Sequence, residues 1–93
     1  MLERDFQKKV IDYLKKNKIY HFKTIATNKK GTPDIIGCYN GKFFGIECKA
    51  EKGRITDWQI RAHKDIEDNG GAVIVIFAKE NYKTTLDDFF NEF

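Results

Sequence analysis

Residues 33–49 read Pro33-Asp34-Ile35-Ile36-Gly37-Cys38-Tyr39-Asn40-Gly41-Lys42-Phe43-Phe44-Gly45-Ile46-Glu47-Cys48-Lys49. Asn-Gly between two apolar runs is the strongest short-range signal for a two-residue β-hairpin, so Ile35 to Tyr39 and Lys42 to Cys48 are expected as its antiparallel arms. Counting outward from the turn sets the register. Tyr39 faces Lys42, Cys38 faces Phe43, Gly37 faces Phe44, Ile36 faces Gly45, Ile35 faces Ile46, and Asp34 falls opposite Glu47. Opposed residues share a face with Cβ atoms roughly 4.5–5.5 Å apart. Two carboxylates held that close repel unless a cation or a proton lies between them. Lys49 points to the same face as Glu47, because side chains alternate along a strand. The hairpin thus offers an acidic pair and an ammonium group on one side, with oxygen ligands suited to Mg²⁺ or Mn²⁺. The plainer alternative is a turn Asp and a solvent-facing Glu paired with Lys49. Against it, Ile36, Cys38, Phe43 and Gly45 on the same face describe a buried surface.

Elements on either side follow from periodicity and capping. Residues 2–17 place Leu2, Phe6, Val10, Tyr13 and Leu14 at helical spacing. Ile19 to Thr27 is expected as a strand, followed by a polar Gly/Pro loop over 28–33. Thr56-Asp57-Trp58-Gln59 is a capping box that opens a second helix to about Asn69, which Gly70-Gly71 ends. Ala72 to Phe77 is a continuous apolar run, the pattern of a strand buried on both faces. Thr85 is expected to cap a last short helix with Leu86, Phe89, Phe90 and Phe93 on one stripe. The order is α-β-β-β-α-β-α, an α/β fold in which a right-handed crossover sets the last strand parallel to its partner in a mixed sheet.

The 93 residues form a single expected domain, 1–93, near the low end of what buries an adequate core. No run approaches the length of a membrane span and the N-terminus is charged, so a cytoplasmic protein with no membrane association is expected. Cys38 and Cys48 fall on opposite faces of the hairpin, which argues against a disulfide between them. With His21 and His63 the only imidazoles, a structural zinc site is not expected. The net charge is +3, yet the first thirty residues hold nine bases against three acids. A basic half is the footprint of a polyanion partner such as nucleic acid. Lys15 and Lys16 read as solvated helix, whereas Lys29 and Lys30 stand in the loop leading into Asp34.

Some polar residues break the local pattern. Glu3 and Gln7 fall inside the apolar arc of the first helix, and an inward Glu needs a cation or donor; fraying or an N-terminal role is the alternative for Glu3. In the second helix Trp58, Ala62 and Ile66 read as the buried stripe with Gln59 at its edge, where capping and a site role are both open. His63 reads as a surface or substrate-facing residue and His21 as an ordinary strand residue.

Pro-Asp, a spacer and Glu-x-Lys at the end of a hairpin strand resemble the PD-(D/E)xK nuclease signature, and the element order is similar to that superfamily's restriction-endonuclease-like αβββαβ core. Glu3-x-x-x-Gln7, Gly31-Thr32-Pro33-Asp34 and Gln59 after Glu47-Cys48-Lys49 sharpen the likeness to its VRR-NUC branch over roughly residues 3–77. The short chain looks like the stand-alone members found in phages and prophages. The resemblance implies that Asp34, Glu47 and the backbone carbonyl of Cys48 hold Mg²⁺ or Mn²⁺, with Glu3 completing the site directly or through water. It implies that Lys49 positions or helps deprotonate the attacking water and that Gln59 orients Lys49 or a phosphate. Lys29, Lys30 and Gln7 would meet the nucleic acid.

The leading expectation is a metal-dependent DNA endonuclease that reads structure, on the pattern of four-way (Holliday) junction resolvases. Flaps or other branched DNA are alternative substrates. A nucleic-acid-binding module without catalysis, and a small partner-binding protein using the phenylalanine-rich tail, are the other classes. A homodimer is expected, since Ile60 and the tail's Leu86, Phe89, Phe90 and Phe93 offer apolar surface and a two-fold pair of sites suits a two-fold junction.

Overall fold

Asn40 and Gly41 adopt φ angles of 50° and 78°, the left-handed pair that a type I′ turn demands. In the computed structural model, which describes residues Met1–Phe93, that turn joins β2 (Ile35–Tyr39) to β3 (Lys42–Lys49). The register runs from Tyr39 opposite Lys42 to Ile35 opposite Ile46, as the outward count requires. Before the hairpin stand α1 (Glu3–Lys16) and β1 (Tyr20–Lys23); after it come α2 (Asp57–Asp68), β4 (Ala72–Phe77) and α3 (Tyr82–Asn91). Thr56 Oγ1 accepts from the Gln59 amide and Gln59 Oε1 accepts from the Thr56 amide at 2.9 Å, so the capping box forms as its sequence specifies.

The strands make one four-stranded sheet in the order β1-β2-β3-β4. The first three are antiparallel and β4 lies parallel to β3, with Glu47 beside Val75 and Lys49 beside Phe77. This is an α/β fold with a mixed sheet flanked by three helices, compatible with a restriction-endonuclease-like core. Alternation gives the sheet two different faces. Ile35, Phe44, Ile46, Cys48 and Ile76 point into the main core, where Phe6, Val10 and Leu14 of α1 and Leu86 and Phe90 of α3 meet them. Asp34, Ile36, Gly45, Glu47 and Lys49 lie on the opposite face, the side that α2 partly covers.

Several sequence-based expectations change, among them that the face shared by Ile36, Cys38, Phe43 and Gly45 is buried, since Cys38 and Phe43 are exposed beyond the reach of α2. β1 ends at Lys23 rather than Thr27, because the Thr24 amide takes the last available partner, the Asp34 carbonyl, at 2.8 Å before the chain opposite turns into the loop. Ile25 beyond it is 93% exposed. β4 is an edge strand, and of its residues only Ile76 is fully buried. A further difference is the start of α3, which begins a turn early with Asn81 as its cap, so Thr85 is interior. Finally, the inward row of α2 is Gln59, Ala62, His63 and Ile66 rather than one centred on Trp58, which stays half-exposed while His63 is buried.

The tail is not a free surface. Leu86 and Phe90 are buried, and Phe90 and Phe93 set their ring edges against Phe44 and Tyr39. Tyr13 of α1 donates a hydrogen bond to Asp87 of α3, tying the two helices that cover this face. The tail therefore covers its own sheet, which removes it from the case for a dimer; Ile60 remains exposed.

Candidate active site

The loop before the hairpin delivers Asp34 to a fixed position. Thr24 Oγ1 donates to the carbonyls of Pro33 and Asp34 at 2.8 and 3.0 Å, and the Pro33 ring packs against Gly45 of the neighbouring strand. Where the β2–β3 ladder ends, the Asp34 side chain reaches across and its Oδ2 accepts from the Cys48 amide at 2.9 Å. Glu47 lies one residue earlier on β3 and is only 2% exposed. Its Oε1 has no hydrogen-bond partner, nor does Nε2 of His63, although the two atoms stand 3.5 Å apart. Lys49 is buried on the same face, and Glu3 Oε1 accepts from the Ala50 amide at 3.3 Å. Asp34, the Glu47–Lys49 pair and Glu3, distant from one another in sequence, thus converge at the C-terminal end of β3.

The electrostatics follow from burial among acids. Burial first, then the neighbouring Asp34, pushes the Glu47 carboxyl up from 4.5 to about 8; Glu3 adds to this and Lys49 opposes it. Burial, with Lys49 adding, lowers the His63 imidazole below its usual range against the pull of Glu67 and Asp34. Glu47 and His63 are therefore not a charged ion pair at neutral pH despite their proximity. The Cys48 thiol is pushed up by burial, then by Asp34 and Glu47, so it stays protonated and turned into the core. Only its backbone is available to the site.

A divalent cation fits part of this arrangement. An orphaned, buried carboxylate oxygen beside a second carboxylate is what a cation would satisfy. Within a strand the N–H and C=O of one residue point the same way, so the Cys48 carbonyl faces the side from which Asp34 approaches. No group of three or more His, Cys, Asp or Glu side chains is gathered as a ligand set. Two carboxylates and a carbonyl are a set Mg²⁺ could use, since it keeps several waters and takes one or two carboxylates together with substrate phosphates.

No family model matches the chain. Over 79 residues, 84% of this chain and 85% of the other protein, it is 28% identical to "Putative nuclease p44" of Acyrthosiphon pisum secondary endosymbiont phage 1.

The remaining candidates occupy distinct places. Gln59 has its Oε1 committed to the helix cap. Gln7 is 7% exposed on the inner side of α1, below Glu3. Lys29 and Lys30 line a cleft of about 710 Å³ between the loop and α2, bounded by Pro33, Ile36, Phe43, Trp58 and Arg61. The loop is braced by Thr27 Oγ1 and Thr32 Oγ1, which donate to the Lys29 carbonyl at 2.8 and 2.6 Å. Gly31, at φ +83°, packs so closely that a Cβ would lie 2.2 Å from the Trp58 carbonyl oxygen. Sequence reasoning missed His63 and Arg61. The spacing of Gln59, Ala62, His63 and Ile66 is itself helical, but Trp58 outweighs it in any hydropathy reading and turns the wheel by one residue.

Proposed function

We propose that this protein is a divalent-metal-dependent endonuclease hydrolysing phosphodiester bonds in branched DNA, four-way junctions above all, as the VRR-NUC resemblance implies. The observation that carries the reading is the buried, unpartnered Glu47 Oε1 beside Asp34, on the sheet face that also holds Lys49. The similarity to a phage protein named as a nuclease supports it. Asp34, Glu47 and the Cys48 carbonyl would hold Mg²⁺ or Mn²⁺, with Glu3 joining through water. Bound there, the ion would polarise a phosphoryl oxygen and lower the pKa of a water.

The chain's own residues do the rest. Lys49 orients the attacking water against the phosphorus, and its ammonium offsets charge gathering on the phosphoryl oxygens. His63 packs against Glu47, 3.5 Å from its Oε1 and without a hydrogen bond to it, and keeps bulk water from that side of the carboxyl. Lys29 and Lys30 hold flanking phosphates without reading sequence. Gln59, bound to its cap, and Gln7, below Glu3, support the elements that carry Lys49 and Glu3. Hydrolysis forms one bond from the water oxygen to phosphorus and breaks one to the sugar oxygen, with the water's proton lost to solvent and one taken up by the leaving oxygen.

Magnesium-dependent cleavage of a four-way junction, a flap and a linear duplex tests the proposal. Asp34→Asn and Glu47→Gln should abolish cleavage with folding intact; full activity of both variants in EDTA would overturn the metal mechanism. The cleft lined by Lys29, Lys30 and Arg61, which needs no metal to hold phosphates, favours a second reading, a nucleic-acid-binding module without catalysis. That module binds the same substrates and leaves them uncut in either metal. Symmetric junction cutting needs two sites, and the homodimer proposed for it now rests on Ile60, 54% exposed on α2. Light scattering at micromolar concentration, with and without junction DNA, decides it.

A further inference from the structure

α2 lies over β3 and β4, and the neighbouring half of that sheet face carries aromatic side chains in the open. Tyr20 and Phe22 of β1 stand beside Cys38 and Ile36 of β2, and Phe43 of β3 stands opposite Cys38. Tyr20 is 68% exposed, Phe22 49% and Phe43 43%. Phe43 also lines the cleft, whose far wall is Trp58, itself 47% exposed. Exposed apolar residues scattered singly are ordinary, but several large aromatics on one side of the molecule, Tyr20 and Phe22 with ring centres 6.4 Å apart among them, are not. The cleft's charge is one-sided, with Lys29, Lys30 and Arg61 against a single acid, Asp65. Lys30 and Arg61 lie over the Trp58 ring, 4.7 and 5.4 Å from its centre. Ile36 on the cleft wall is two residues from Asp34 on the same face, about 7 Å along the strand.

We propose that this face is a stacking platform for an unpaired strand of DNA, with bases on Phe43 and Phe22 beside Trp58, and phosphates along Lys29, Lys30 and Arg61, which leave the Trp58 ring to meet them. Aromatic surface beside a basic track is what binds a strand whose bases are unstacked, since a duplex hides its base faces and presents only phosphates and groove edges. A second copy of the chain is a poorer occupant. A two-fold interface would set Lys29, Lys30 and Arg61 of one copy near the same cations of the other. The platform's purpose rests on the nuclease reading with a flap or other branched substrate, since a fully paired four-way junction offers no loose strand; there it would bring the boundary between paired and unpaired DNA to Asp34 and Glu47. Its binding does not depend on catalysis.

Trp58 is the only tryptophan, so its fluorescence reports on the cleft. The test titrates the protein in EDTA with a single-stranded oligodeoxynucleotide of about 12 nucleotides, within the span one such platform covers, and with the blunt duplex of the same sequence. The single strand should quench Trp58 and the duplex should bind with little quenching. Phe43→Ala and Phe22→Ala should each weaken single-strand affinity roughly fivefold or more and leave duplex affinity unchanged. Equal quenching by the duplex, no quenching by either, or unchanged affinity in both variants would overturn the platform. So would light scattering that shows a dimer abolished by Phe22→Ala, which assigns the face to a second copy. Quenching without cleavage in Mg²⁺ defeats the nuclease reading and leaves the platform standing; cleavage without quenching does the reverse.

Discussion

Glu47 is a site residue whose ionisation the fold displaces strongly. Unfolded, its carboxyl ionises near 4.5; folded and free of metal, burial and Asp34 push this up to about 8. A raised folded-state value means its share of stability is complete below about pH 4.5 and is lost as pH rises through about 8. Thermal unfolding in EDTA should therefore show the wild type losing stability relative to Glu47→Gln across that window, and Mg²⁺ should restore it at the alkaline end. A constant difference between the two would contradict the buried-acid account. Lys49→Ala should lower turnover by roughly 100-fold or more while DNA binding persists. Removing Lys29 and Lys30 together should instead weaken binding and flatten the log–log salt slope by about 0.9 per lost phosphate contact. Equal binding defects in both variants would make Lys49 an ordinary phosphate contact. His63→Ala, which removes the ring packed 3.5 Å from Glu47 Oε1 and opens that carboxyl to water, should cost roughly 10- to 100-fold in activity, the usual effect of disturbing the surroundings of a metal ligand.

At the scale of elements, the loop and the start of α2 act as one unit. Gly31→Ala puts a Cβ in a left-handed conformation, costing about 1–3 kcal/mol, and drives it into the Trp58 carbonyl. The loop should shift away from α2, so the melting temperature falls and DNA affinity falls with it. An affinity matching wild type at a temperature where the variant is folded would separate the loop lysines from the cleft. Thr56→Ala and Gln59→Ala remove the two halves of one capping box, and each should cost about 1 kcal/mol of stability with turnover unchanged. A turnover loss confined to Gln59→Ala would show that its free amide nitrogen serves the site as well as the helix.

The whole molecule depends on its tail. Leu86 and Phe90 close the core face of the sheet, and the Tyr13–Asp87 hydrogen bond fastens α3 to α1. Deleting residues 82–93 should abolish the cooperative unfolding transition seen by circular dichroism. A folded, cooperative truncated chain that had changed only its oligomeric state would return the tail to the role of an interface. A domain of 93 residues has little core to lose.

The hairpin, its register and the acidic pair are legible in residues 33–49 because each rests on local rules: Asn-Gly chooses the turn, the two-residue period assigns the faces, and counting brings Asp34 to Glu47. The α2 cap is local in the same sense. What lies beside Glu47 is not local. His63 is sixteen residues away, and its burial follows from how far α2 rotates as it packs on β3 and β4, where Gly31 against the Trp58 carbonyl and Ile66 near Gly45 outweigh the pull of one large apolar ring. The tail helix is as apolar as an interface needs to be, and its periodicity is the same whether it meets a partner or its own sheet. Only the tertiary structure decides between them, because the free energy of burying Leu86 and Phe90 depends on which surface comes within reach, and the exposed half of the sheet brings its aromatics beside the loop cations only once the strands are paired.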